Sequence, residues 1–363
     1  MTLKCGIVGL PNVGKSTLFN ALVGSSIAQA ANYPFCTIEP NNGIIAVPDE
    51  RLNNLANIAS SAKIIPTQLE FVDIAGLVKG ASQGEGLGNK FLGHIREVDA
   101  IAYVLRCFED DDVIHVYGKV NPLQDAEVIK MELLLADLDS LRSRLPSLEK
   151  KAKISPEAND ILKISIDIIS CIENGKLSPR SLITKDNDKM IKNMQLLSTK
   201  PFFYICNVGE SEINTGNNYS DLIKFKEEDI ESVLVSAKIE SEIASINDFN
   251  ERLSFINEMG MNSSGLDRIA QCAYKILDLQ MFFTIGPKEA RAWTIKRGFF
   301  APQAAGIIHS DFEKGFICAE TISYNDYIHY KGENGAKDAG KMRIEGKQYI
   351  VQDGDIIHFR FNV

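Results

Sequence analysis

Five short apolar runs punctuate the chain, at residues 4–8, 69–73, 100–105, 202–206 and 232–235. Each is four to six residues long, too short for a typical helix, and most are nearly continuous rather than alternating. Strands of a parallel sheet are covered on both faces, so they read this way. Segments of helical period separate the early runs. That alternation predicts an α/β fold with a doubly wound, mostly parallel sheet, whose ligands bind at the carboxyl ends of its strands.

Two regions depart from this pattern. Leu134, Leu138, Leu141, Leu145 and Leu148 are spaced four, three, four, three, which makes a heptad seam. Pro146 is expected to interrupt or kink that helix near its end. Ser155-Pro156-Glu157 has the composition of a helix start, and Ala158, Ile161, Leu162, Ser165, Ile168, Ile169 and Ile172 follow on one face. Residues 124–199 therefore read as a helical hairpin inserted into the α/β domain, serving as a partner platform or as a structural excursion. From residue 281 the pattern becomes short β-like runs with turns, including Gly286-Pro287 and Gly332-Glu333-Asn334-Gly335. The expected division is 1–123 with 200–280, then 124–199 as the insertion, and 281–363 as a small separate β-rich domain.

Composition narrows the class without naming a chemistry. With 45% hydrophobic and 24% charged residues, the 363-residue chain has the make-up of a soluble globular protein. It holds no apolar run of about 18 residues, so no membrane span is expected. The seven cysteines, at 5, 36, 107, 171, 206, 272 and 318, are scattered and form no C-x-x-C pair. A reduced, cytoplasmic protein is the expectation. The formal net charge is −9, which argues against broad nucleic-acid binding. The excess of acid lies in residues 1–280. Residues 281–363 are nearly balanced and carry a local group of cations, Lys288, Arg291, Lys296 and Arg297, which reads as a solvated face or a contact patch.

The chemistry lies where the first strand ends. Gly9-Leu10-Pro11-Asn12-Val13-Gly14-Lys15-Ser16-Thr17 fits the phosphate-binding pattern G-x-x-x-x-G-K-[ST] between a predicted strand and a predicted helix. Glycines let the backbone curl so that successive N–H groups point inward at phosphate oxygens, and the helix N-terminus adds positive potential. Asn12, Val13, Gly14, Lys15, Ser16 and Thr17 are thus the expected phosphate grip, with Ser16 also a Mg²⁺ ligand. A carboxylate at a neighbouring strand end should organise that metal. Asp73 stands there, followed by Gly76, whose N–H is expected at the γ-phosphate. Thr37, in a proline-bracketed loop at 32–41, is the expected third metal contact. The glycine-rich stretch 79–93 suits a switch segment or a plain flexible loop.

Base selection is the departure. GTP-binding proteins of this plan carry Asn-Lys-x-Asp after a later strand, where this chain has Asn207-Val208-Gly209-Glu210. The packing lysine is absent and the acid is one methylene longer, and both changes weaken guanine recognition. Asn207 retains the amide that pairs with adenine, and Ser236-Ala237-Lys238 fits the last base-flanking loop. ATP is favoured over GTP. Leu77 stands where many GTPases place a water-orienting glutamine, so His94 and His115 become the catalytic candidates, with Arg96 or Arg106 as charge stabilisers.

These residues together resemble the YchF-type ATPases of the Obg-related branch of P-loop GTPases. The likeness covers the P-loop, PFCTIEPN, FVDIAGLVKGAS, RCFEDDDVIHV, the helical insertion and the C-terminal region. The resemblance implies a nucleotide domain with a coiled-coil spur, a C-terminal TGS (ubiquitin-like β-grasp) domain and ATP preference. It favours His115 over His94 as the catalytic residue. It adds K⁺, held through Asn12, to Mg²⁺ and ATP. It also implies association with ribosomes, the large subunit being the expected contact, with RNA touched through the TGS domain or the helical insertion, and a role in translation or stress response.

Overall fold

The computed structural model describes residues 3–30, 41–74, 87–110, 118–175, 179–184, 186–227 and 229–362. In chain order the strands are β1 Lys4–Gly9, β2 Asn42–Ala46, β3 Ile64–Ile65, β4 Gln68–Asp73, β5 Ala100–Arg106, β6 Phe202–Asn207, β7 Ser232–Val235, β8 Leu279–Ile285, β9 Ala290–Lys296, β10 Phe316–Ile322, β11 Arg343–Glu345 and β12 Ile356–Phe361. The first sheet runs β2-β4-β1-β5-β6-β7. All its pairings are parallel except that of β2 with β4. All five sequence-predicted strands lie in it. Strand β5 is buried at every position, which is why its sequence shows an unbroken apolar run. The carboxyl ends of β1, β4, β6 and β7 carry the expected phosphate, metal and base residues.

The helix Pro122–Ala152 starts at an Asn121 cap whose side chain accepts from the Gln124 N–H, with proline in its first turn. It is continuous through Pro146, so of the interruption or kink expected there the interruption does not occur. Pro146 is exposed and lies in the final two turns, where losing one backbone bond costs least. The helix Pro156–Glu173, capped by Ser155 as expected, folds back on it. Leu134, Leu138 and Leu141 are buried against Ile168, Ile169 and Ile172. The seam loosens beyond Leu145, and Leu148 is only half-buried. Asp137 fixes the returning chain, accepting from Leu197 N–H at 2.9 Å and Ser198 N–H at 2.8 Å.

The second sheet runs β11-β10-β12-β8-β9-β3. Its last strand, β3, comes from the first part of the chain and pairs parallel with β9. The same segment adds Arg51 Nη1 donating to Asp353 Oδ2 at 2.8 Å, Ser61 Oγ to the Gly286 carbonyl at 2.7 Å, and Ala290 N–H to the Lys63 carbonyl at 2.8 Å. One hydrophobic core runs from Cys5 and Ile7 through Leu52 and Leu55 to Met281, Phe283 and Ile356. The opposite face of the second sheet packs Phe282, Ile295 and Phe359 under the helix Ala301–Ile308. The turn at Gly286-Pro287 is where the sequence puts it, between β8 and β9. Gly332-Glu333-Asn334-Gly335, expected as a turn, instead opens the helix Glu333–Asp338, with Gly332 at φ 116° as its cap. No helix among the described residues is long and apolar enough to cross a membrane.

Candidate nucleotide site

The P-loop joins β1 to the helix Lys15–Ala30, and its curvature is set by two left-handed residues, Asn12 at φ 62° and Gly14 at φ 90°. A Cβ at Gly14 would stand 2.2 Å from Asn207 Nδ2, so this glycine is required by both conformation and space. Val13 and Lys15 are buried, while Ser16 and Thr17 face solvent at the helix start. Parallel register places Ile7 beside Asp73, and the Lys15 ammonium donates to Asp73 Oδ1. The expected phosphate-binding lysine and metal-organising carboxylate are therefore in direct contact. Asp73 and the Ser16 hydroxyl present hard oxygen donors of the kind Mg²⁺ takes. Thr37, Gly76 and His115 lie outside the described residues.

On the base side, Asn207 is 4% exposed at the end of β6. Its Nδ2 donates to the Val13 carbonyl at 2.8 Å, and its Oδ1 accepts from the Ala237 N–H at 2.9 Å. One side chain thus ties the P-loop to the turn after β7. Each amide atom already carries one bond to the protein, which leaves the second N–H and the second lone pair for a base. Val208, Ser236 and Ala237 are buried beside it. Glu210 is exposed and pairs with Lys238 at 2.5 Å, an ion pair that lifts the Lys238 ammonium above its usual range. A lysine from the last loop thus meets the acid that ends Asn-x-x-Glu.

These elements enclose an open cleft of about 780 Å³. Phe108, Glu109 and Asp110 also line it, although sequence reasoning assigned them no site role. Arg106 organises them: it is 1% exposed, donates through Nε to the Phe108 carbonyl at 3.1 Å and through Nη2 to the Asp110 carbonyl at 3.2 Å. Its guanidinium lies 4.7 Å from the Phe108 ring centre. Tyr219 Oη donates to Glu109 Oε1 at 2.5 Å. Glu212 accepts from the Gly209 N–H and from Asn217 Nδ2, fixing the Asn207–Glu210 turn from behind. Arg106 therefore braces the turn that follows β5. His94 and Arg96 are exposed on the helix Leu87–Glu97 and do not line the cleft. Of the C-terminal cations, Arg291 stacks on Trp293 at 4.1 Å and Arg297 pairs with Asp278 at 3.2 Å.

Residues 4–133 match the model of a family described as 50S ribosome-binding GTPase. Residues 279–362 match a YchF-GTPase C-terminal family, described as a protein of unknown function. Over its full length the chain is 53% identical to the ribosome-binding ATPase YchF of Haemophilus ducreyi, with 100% of each chain covered. The chain belongs to the YchF family. The YchF proteins of Escherichia coli O157:H7 and Bacillus subtilis, also named ribosome-binding ATPases, are 52% and 49% identical, again with 100% of each chain covered. The solved Schizosaccharomyces pombe YchF GTPase superposes with a TM-score of 0.88 at 37% identity, covering 99% of this chain and 98% of that one. A GTP-binding protein from Pyrococcus horikoshii, at 17% identity and a TM-score of 0.61, shares the fold.

Proposed function

We propose that this chain binds and hydrolyses ATP as a slow switch that associates with ribosomes in the cytoplasm. One observation carries the reading: in a chain whose full-length relatives are named ribosome-binding ATPases, the P-loop and both base loops line one cleft, and the P-loop lysine meets Asp73. In this reading Lys15 leaves Asp73 for the β- and γ-phosphates, and the amides of residues 13–17 hold the phosphate oxygens, with Gly76 at the γ-phosphate. Ser16, Asp73 and Thr37 would hold Mg²⁺, which when bound neutralises charge developing on the phosphate oxygens. Asn12 is the candidate K⁺ contact.

Asn207, Val208, Glu210, Ser236 and Ala237 form the base pocket, with Phe108 as its aromatic wall. His115 orients the attacking water. The division into nucleotide domain, coiled-coil insertion and TGS domain belongs to the same proposal, as does contact with the large subunit or its RNA. Co-sedimentation with 70S ribosomes, with ATP, with ADP and without nucleotide, tests it. The expected result is association that depends on the nucleotide. Equal recovery in all three conditions would contradict a switch, and no recovery would contradict ribosome association.

The family description and the fission-yeast relative, both named GTPases, favour GTP as the rival substrate. Direct titration of both nucleotides separates the two readings.

A further inference from the structure

A second cavity, of about 530 Å³, shares no lining residue with the nucleotide cleft. One wall is β7, the edge strand of the first sheet. The carbonyls of Glu231 and Val235 accept from Tyr204 and Val208, so those residues face β6. Strand alternation then turns the N–H and C=O of Ser232 and Leu234 away from the sheet. Among the described residues neither pair has a hydrogen-bond partner, and both residues line the cavity. An unpaired strand edge in a concave wall is a template for an added strand.

The charged side chains that line this cavity are all cationic. Lys224 and Arg268 line the cavity and no carboxylate does, although the chain as a whole is acidic. Lys224 is exposed and forms no ion pair among the described residues. Arg268 Nε and Nη2 are buried without a hydrogen-bond partner. Glu240 and Asp267 act on Arg268 through space, but neither lines the cavity. Apolar contacts are available from Ile213, Val233 and Met261.

We propose that the outer edge of β7 accepts an extended acidic peptide segment of a partner protein as an added strand. Ser232 and Leu234 supply the main-chain pairing, and Lys224 and Arg268 receive its carboxylates. Backbone bonds give such a contact its grip, and the side-chain pockets give it selectivity.

The test uses the intact chain and three labelled peptides. The first is a five-residue peptide alternating Val and Glu, the second its twin alternating Val and Lys, and the third the acidic peptide with N-methylated backbone amides. Fluorescence anisotropy should show the acidic peptide binding about ten-fold or more tightly than the basic one, with no binding by the methylated copy. Lys224→Glu, a surface change that leaves the fold intact, should weaken binding by about ten-fold. Arg268→Gln should act in the same direction. Hydrogen exchange at the Ser232 and Leu234 amides should slow when the acidic peptide is present. Equal binding of the acidic and basic peptides overturns the proposal, as does undiminished binding of the methylated copy or unchanged exchange at both amides. Displacement of the peptide by an equal concentration of inorganic phosphate marks a bare anion site and also overturns it.

Discussion

Asn207 shows how one side chain can hold a site together. Its amide bridges the Val13 carbonyl and the Ala237 N–H, so it sets the spacing between the phosphate loop and the base loop before any ligand is considered. Asn207→Ala leaves both partners buried and unpaired, at a cost of about 2–3 kcal/mol in urea denaturation. Because the lost spacing serves every purine nucleotide, affinity for ATP and GTP should fall by similar factors. A loss confined to ATP would make adenine pairing the residue's main task. The sequence showed Asn207 as a base reader and hid its bracing role, because Val13 and Ala237 lie 194 and 30 residues away. The P-loop itself was legible because phosphate binding there relies on contiguous backbone geometry. Phe108, Glu109 and Asp110 were not, since their place depends on Arg106 folding back onto the turn and on distant partners, Asn217 at the Cys107 carbonyl and Tyr219 at Glu109.

Among elements, the apolar runs of the first sheet were readable, its edge strand β7 included, whereas the short β3 was not. Strand β5 announces itself by seven buried positions, whereas β3 has two residues and exists only because β9 is there to pair with it. The helix Ala237–Ser245, which follows the base loop, is joined to the helix Gly265–Ile276 through Glu240. That carboxylate is fully buried and accepts from the Gly265 N–H at 2.7 Å and the Leu266 N–H at 3.3 Å. Burial pushes its pKa up to about 7, against the opposing pull of those two N–H groups and Arg268. The native state therefore keeps a proton that the unfolded chain releases above the ordinary glutamate value. Stability from this group is present at low pH and is lost as pH rises through about 7. Glu240→Gln keeps an acceptor for Gly265 without the charge. Urea midpoints compared between pH 5 and 8 should show the variant gaining on the parent as pH rises. Parallel curves would place the titration elsewhere.

At the scale of the whole molecule, the second sheet shares a core and a strand with the first part of the chain. The sequence shows only the boundary near residue 281, where composition and element type change. The shared core and the donated strand β3 are invisible to composition, since they arise from residues 47–67 folding against β8 and β9. The chain's single tryptophan, Trp293, lies on β9 and reports on this sheet. Its thermal transition should coincide with that seen by far-UV circular dichroism. Saturating ATP should raise both midpoints equally, because ligand binding to a cooperative unit stabilises all of it. A tryptophan transition that ignores ATP would show two independent units.

The measurement that bears most directly on the account is calorimetric titration of the intact chain with Mg²⁺-ATP and Mg²⁺-GTP, repeated on Lys15→Ala. One ATP site per chain is expected, with GTP weaker by about ten-fold or more and ATP binding lost in the variant. GTP binding equal to or tighter than ATP, or ATP binding that survives Lys15→Ala, would contradict it.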